Sequence, residues 1–181
     1  RFPQGATRAL QQASSKKPAN YQSRPYVENR SLTDTPGDPW GASFYNYFRY
    51  RYYTDGSNQG QFPEFMKTEV DLLAAEGYIR KGNIAAAAAK IDLSRVARGG
   101  LPALTGAVTS INDAVPGGAG CVPRVPKPPN FNTAGCGNIF EALKWERRVE
   151  LAFQQFGAWF YDPRGWGDLP VDTALEYPTP Y

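Results

Sequence analysis

Histidine is absent from all 181 residues of the chain. That one absence removes the commonest general base, the usual nitrogen ligand of zinc, and every nucleophile that relies on a histidine partner. Cysteine occurs twice, and two thiols without histidine cannot close a zinc site. No metal and no cofactor is therefore expected. Charge of either sign is in short supply: Lys and Arg total 20, Asp and Glu 17, for a net charge of +3. So small an excess does not argue by itself for nucleic acid or an anionic membrane surface as partner, and no nucleic-acid role is expected. No apolar run approaches the ~20 residues that a helix needs to span a bilayer, so no transmembrane segment is expected in the visible chain. No initiator Met or leader-like stretch opens it at Arg1, which reads as a processed protein or as part of a longer one.

What is present is loop-forming and aromatic. Glycine (18) and proline (16) together approach a fifth of the chain, so much of it is expected to be irregular. Residues 1–42 are polar and broken by Pro3, Pro18, Pro25, Pro36 and Pro39, and read as a Pro-rich irregular arm ordered only by docking. The stretch FYNYFRYRYYTDGSNQGQFP follows. From Phe48 to Tyr52 it alternates aromatic and arginine, which suits one extended strand with an aromatic and a cationic face. Rings interleaved with Arg could stack on bases or sugars, but an ordinary amphipathic strand covering a core edge explains them with less.

The first convincing helix spans about 64–81, with an apolar stripe interrupted by acids. Gly82 is placed to end it in a left-handed cap, and Asn83 to cap a second helix over about 83–98. The alanine run of that second helix has high propensity and little bulk, so another backbone can approach closely. The two form a tight antiparallel αα-hairpin. Residues 101–137 read as a long loop, and a loop of that length in a compact domain is usually functional or stapled. The staple is supplied by Cys121 and Cys136, in the settings GAGCVP and AGCGN. A disulfide between them implies an oxidising compartment; the alternative is two unpaired buried thiols. A third helix is expected over about 138–156, with Asn138 and Glu141 at the spacing of a capping box. Gly157 and Pro163 should then break the pattern, leaving DPRGWGDL as a turn-rich exit.

Glu146, Arg147, Arg148 and Glu150 crowd one turn of that helix. Two carboxyls one turn apart resemble the ~5 Å pair of a retaining glycosidase. Catalytic carboxylates, however, normally come from separate elements that flank the scissile bond. Here Lys144, Arg147 and Arg148 surround them and favour the ionised forms, which is the wrong preparation for a general acid. A structural salt-bridge cluster is the simpler reading, and no catalytic residue is expected.

Three stretches, in order, resemble the C-terminal portion of the RagB/SusD family of outer-membrane nutrient-binding lipoproteins. EVDLLAAEGYIRKGNIAAAAAKI is similar to the family's helix pair, SRVARGGLPALT to its R-x-R-x-G-L-P signature, and ALKWERRVELAFQQFGAWFYDPRGWGDL to ER-x-x-ELAFEG-x-R-W-x-D-L-R-R-x-G. The match covers roughly residues 44–170 and about a third of a typical member. Gln154-Gln155-Phe156-Gly157-Ala158 stands where the family shows an acid-glycine pair, and Asp162-Pro163-Arg164-Gly165 where D-L-R-R is expected.

The resemblance implies a mainly α fold with extensive irregular loops: a SusD-like, tetratricopeptide-type αα-hairpin plus a C-terminal helix, within a SusD-like helical region at 43–181. It also implies a non-enzymatic protein on the outer-membrane surface or in the periplasm, with a TonB-dependent transporter as partner and a glycan or other oligomer as ligand. Flat rings grip sugars, so Trp40, Tyr45, Tyr47, Tyr50 and Tyr52 are the candidate ligand contacts. The alternative is an accessory structural subunit docked on a larger envelope complex, its ligand binding lost. Helix pairs of this type need neighbours, so Leu72, Leu73, Ile79 and the alanine face should be buried by further helices or another protein.

Overall fold

The computed structural model describes residues 64–127, 133–152 and 158–168, and the backbone of two short strands at 27–29 and 45–47. The described residues are mainly helical. Strands β1 (Val27–Asn29) and β2 (Tyr45–Tyr47) pair antiparallel, Val27 opposite Tyr47 and Asn29 opposite Tyr45. Helices α1 (Lys67–Arg80) and α2 (Ile84–Arg95) form the expected αα-hairpin. A 3-10 turn (Gly118–Gly120) and strands β3 (Arg124–Lys127) and β4 (Thr133–Cys136) lead into α3 (Ile139–Glu150), and α4 (Ala158–Trp166) follows.

Local chemistry explains the hairpin. Gly82 sits at φ +75°, a conformation that costs a residue with a Cβ, and this lets the amides of Gly82 and Asn83 turn back onto the carbonyls of Ile79 and Tyr78. Asn83 then accepts from the Ala86 amide through its side chain. Across the pair, Leu72, Ala75 and Ile79 meet Ala87, Ala88 and Ile91, all of them buried. α3 closes this face with Ile139, Ala142 and Leu143, each fully buried. Leu72 and Ile79 are thus covered within this chain. Leu73 is not: it stands 45% exposed on the far side of α1, with Val70 at 48%, and Leu93 is 46% exposed on the far side of α2 beside exposed Ala85 and Ala89. The hairpin is apolar on both sides.

Three expectations change. The third helix stops at Glu150, with Leu151 as its C-cap, short of residue 156. The loop at 101–137 contains a hairpin, because Arg124 to Lys127 pair in register with Cys136 to Thr133. The exit is helical, with Pro163 inside α4. In addition, β1 falls within the arm at 1–42. Residues 48–52 lie outside the described residues.

Candidate functional site: an ionic layer between the helices

The long loop is fixed to α2 by two side chains one turn apart. Asp92 accepts from the amides of Leu104 and Thr105, both at 2.9 Å, and from the Thr105 hydroxyl at 2.7 Å. Arg95, fully buried, donates Nε to the Pro102 carbonyl at 2.9 Å and Nη1 to the Val122 carbonyl at 2.7 Å. Backbone bonds continue the frame: Gly137 donates to Pro123, and Val115 to Gly137. Within it Cys121 and Cys136 are joined in a disulfide, their Cα atoms 5.7 Å apart. Gly137 has to be glycine here, since a Cβ would lie 2.8 Å from Glu141 Cβ and 3.2 Å from Pro123. The disulfide indicates an oxidising compartment.

Beneath the loop, three helices share a layer of buried charge. Glu146 on α3 is fully buried and accepts from the Ser94 hydroxyl of α2 at 2.6 Å. Glu150, also fully buried, takes Arg98 Nη1 at 2.6 Å, and the other arm of that guanidinium reaches Thr68 Oγ1 on α1 at 2.7 Å. Arg147 points the other way and binds both oxygens of Asp162 on α4 at 2.8 Å, a two-armed fork-to-carboxylate contact. Its Nη1 is buried with no hydrogen-bond partner among the described residues. Lys144 holds Glu141 at 2.9 Å and Asp168 at 2.6 Å, and Arg148 stands 3.6 Å from Asp168. The cluster Glu146, Arg147, Arg148, Glu150 therefore reaches outward: its carboxylates meet Ser94 on α2 and Arg98 just beyond that helix, and its guanidiniums meet Asp162 on α4 and Asp168 just beyond it. The capping box is half formed, because Asn138 accepts from the Glu141 amide while the Glu141 side chain turns to Lys144.

No protein-family model, curated protein or solved structure matches the chain.

Glu69 belongs to the same layer. Burial pushes its carboxyl above the usual range; Arg147 pulls it back down, and the charge of Asp162 pushes it up again. Asp71, at the other edge of α1, goes the opposite way: hydrogen bonds from Lys67 and Lys90 hold its carboxyl below the ordinary value. In chemical terms the two carboxyls first considered as a catalytic pair, Glu146 and Glu150, are sealed from solvent and each is aimed at a neighbouring helix. Among the described residues no cluster of His, Cys, Asp or Glu is placed to hold a metal ion, and no helix is long and apolar enough to cross a membrane. Trp40, Tyr50 and Tyr52 lie outside the described residues, and for Tyr45 and Tyr47 only the backbone of β2 is described. Sequence reasoning gave no site role to Ser94, Arg95, Arg98 and Asp162, although each lies in a stretch that carries the resemblance, and it passed over Asp92. Nothing in their spacing separates them from surface charges on amphipathic helices.

Proposed function

We propose that this chain is the helical portion of a non-catalytic, SusD-like nutrient-binding lipoprotein of the cell envelope, acting beside a TonB-dependent transporter at the outer membrane. The observation that carries the reading is the αα-hairpin with apolar residues on both sides. A hairpin built this way is a unit of a stacked helical array: one face closes on α3, and Val70, Leu73 and Leu93 await a neighbour. The disulfide and the sealed carboxyls add support, the first for an envelope protein and the second for a binder over a hydrolase. A glycan or similar oligomer is the ligand class, gripped by the aromatic stretch around Trp40, Tyr45, Tyr47, Tyr50 and Tyr52.

A second reading is favoured by the same exposed face. As an accessory subunit that has lost ligand binding, the chain would cover Leu73 and Leu93 with a larger envelope complex. Native purification followed by mass spectrometry separates the two. Recovery with a TonB-dependent transporter and retention on immobilised oligosaccharide fit the first, and recovery with an unrelated complex and no retention fits the second. Either reading expects residues 1–181 expressed alone to aggregate or to melt broadly, since an uncovered face of this kind is unusual in a monomer. A sharp, monomeric two-state melt would count against both.

A further inference from the structure

Helix α4 is attached to the bundle differently from the other three. Charged and aromatic contacts tie it to them: Asp162 on Arg147, and just beyond the helix Asp168 on Lys144 and Arg148. Trp166 donates Nε1 to Glu76 at 3.3 Å and meets the Phe140 ring edge-on, with centroids 6.3 Å apart. Phe160 and Tyr161, by contrast, are 38% and 65% exposed. By itself the segment is a poor helix. Nine residues are too few to hold one in water, and Pro163 and Gly165 are the two least helical residue types. α3 has no such dependence. Ile139, Ala142 and Leu143 bury it against α1 and α2, and Glu146 and Glu150 point the same way.

We propose that α4 is a strap, helical only while docked, latched to Lys144, Arg147 and Arg148 through Asp162 and Asp168 and released as a unit while α1 to α3 stay folded. Asp162 and Asp168 keep 23% and 31% of their side-chain surface in solvent, so salt reaches these pairs as it does not reach Glu146, whose partner Ser94 is itself buried. Release hands solvent the Arg147 guanidinium, 3% exposed when docked, and the ring of Phe140. A cationic and aromatic surface is thereby uncovered on α3.

Hydrogen exchange read by mass spectrometry, on the full chain in its native assembly, tests this. Between about 0.01 and about 1 M sodium chloride the Debye length falls from ~30 to ~3 Å. Amides of 158–168 should lose protection about tenfold or more over that range while those of 67–95 keep theirs, and Asp162→Asn with Asp168→Asn should reproduce the loss at low salt. If the double variant does not fold, the salt series on the unaltered protein decides. Protection of 158–168 that survives high salt, that is lost only together with 67–95, or that is missing at the lowest salt overturns the strap.

Discussion

Replacing Glu150 by Gln keeps the shape of the side chain and deletes one charge from the buried layer. The carboxyl is fully buried, its partner Arg98 is 28% exposed, and the oxygen-to-nitrogen distance is 2.6 Å. Two unit charges ~4 Å apart at an effective dielectric near 20 attract by ~4 kcal/mol. Desolvation of the buried carboxylate takes back part of that, leaving ~1.5–3 kcal/mol for a charge-assisted hydrogen bond. The glutamine oxygen can still accept, so Glu150→Gln should cost ~2 kcal/mol. Arg98→Met should cost somewhat more, because it also strips the donor from Thr68. In the double variant the losses should not add: a coupling of ~1–2 kcal/mol is expected for side chains in direct contact. Hydrogen exchange of the α2 and α3 amides in the assembled protein reads these values directly, about thirtyfold in protection for 2 kcal/mol. A coupling below ~0.5 kcal/mol, the level of exposed ion pairs, would refute the reasoning and make the buried charges spectators.

Thiol labelling of the denatured, unreduced protein should find no free cysteine, and two labelled thiols would remove the staple and the compartment with it. Replacing both Cys121 and Cys136 by Ala should cost ~3 kcal/mol for a ring closed over 15 residues, seen as roughly a hundredfold faster native-state proteolysis of the loop. Glu69 carries a pH signature. Its folded-state pKa lies above the ordinary 4.5, so the folded protein holds its proton more tightly than the unfolded chain, and its contribution to stability falls as pH rises from about that value through the raised one. Glu69→Gln abolishes that fall, so the stability of the variant relative to the parent should climb with pH across this window; a difference that stays flat would refute the assignment.

The features legible in the sequence are those that act over a few residues. Gly82 and Asn83 mark the hairpin turn because one supplies a positive φ and the other an acceptor for a helix N-terminus. Asn138 marks the start of α3 for the same reason. α4 was hidden because Pro163 and Gly165 argue against a helix, and Arg147, fifteen residues away on α3, supplies a docking partner for Asp162. The hairpin at 124–136 was hidden likewise: Pro126 argues against a strand, and the pairing is framed by a disulfide and a buried arginine from α2. In the candidate site the charge cluster on α3 could be located from its residues, but its partners Ser94, Arg98 and Asp162 could not, since long-range pairing leaves no periodic trace.

The anchors on α2 have a bearing on protein engineering. Asp92 fixes the loop at Leu104 and Thr105, and Arg95 fixes it at Val122, so the chain between them spans two posts set on one helix. Between the posts the chain is held again at Val108 and Val115, both buried in the core, and Ile111 and Asn112 stand exposed between those two. Lengthening a loop costs only ~0.6 kcal/mol per doubling when its ends are already held. The stretch at Ile111 and Asn112 is therefore the natural place to graft a reporter peptide or an affinity epitope, since Val108 and Val115 on either side keep their places in the core.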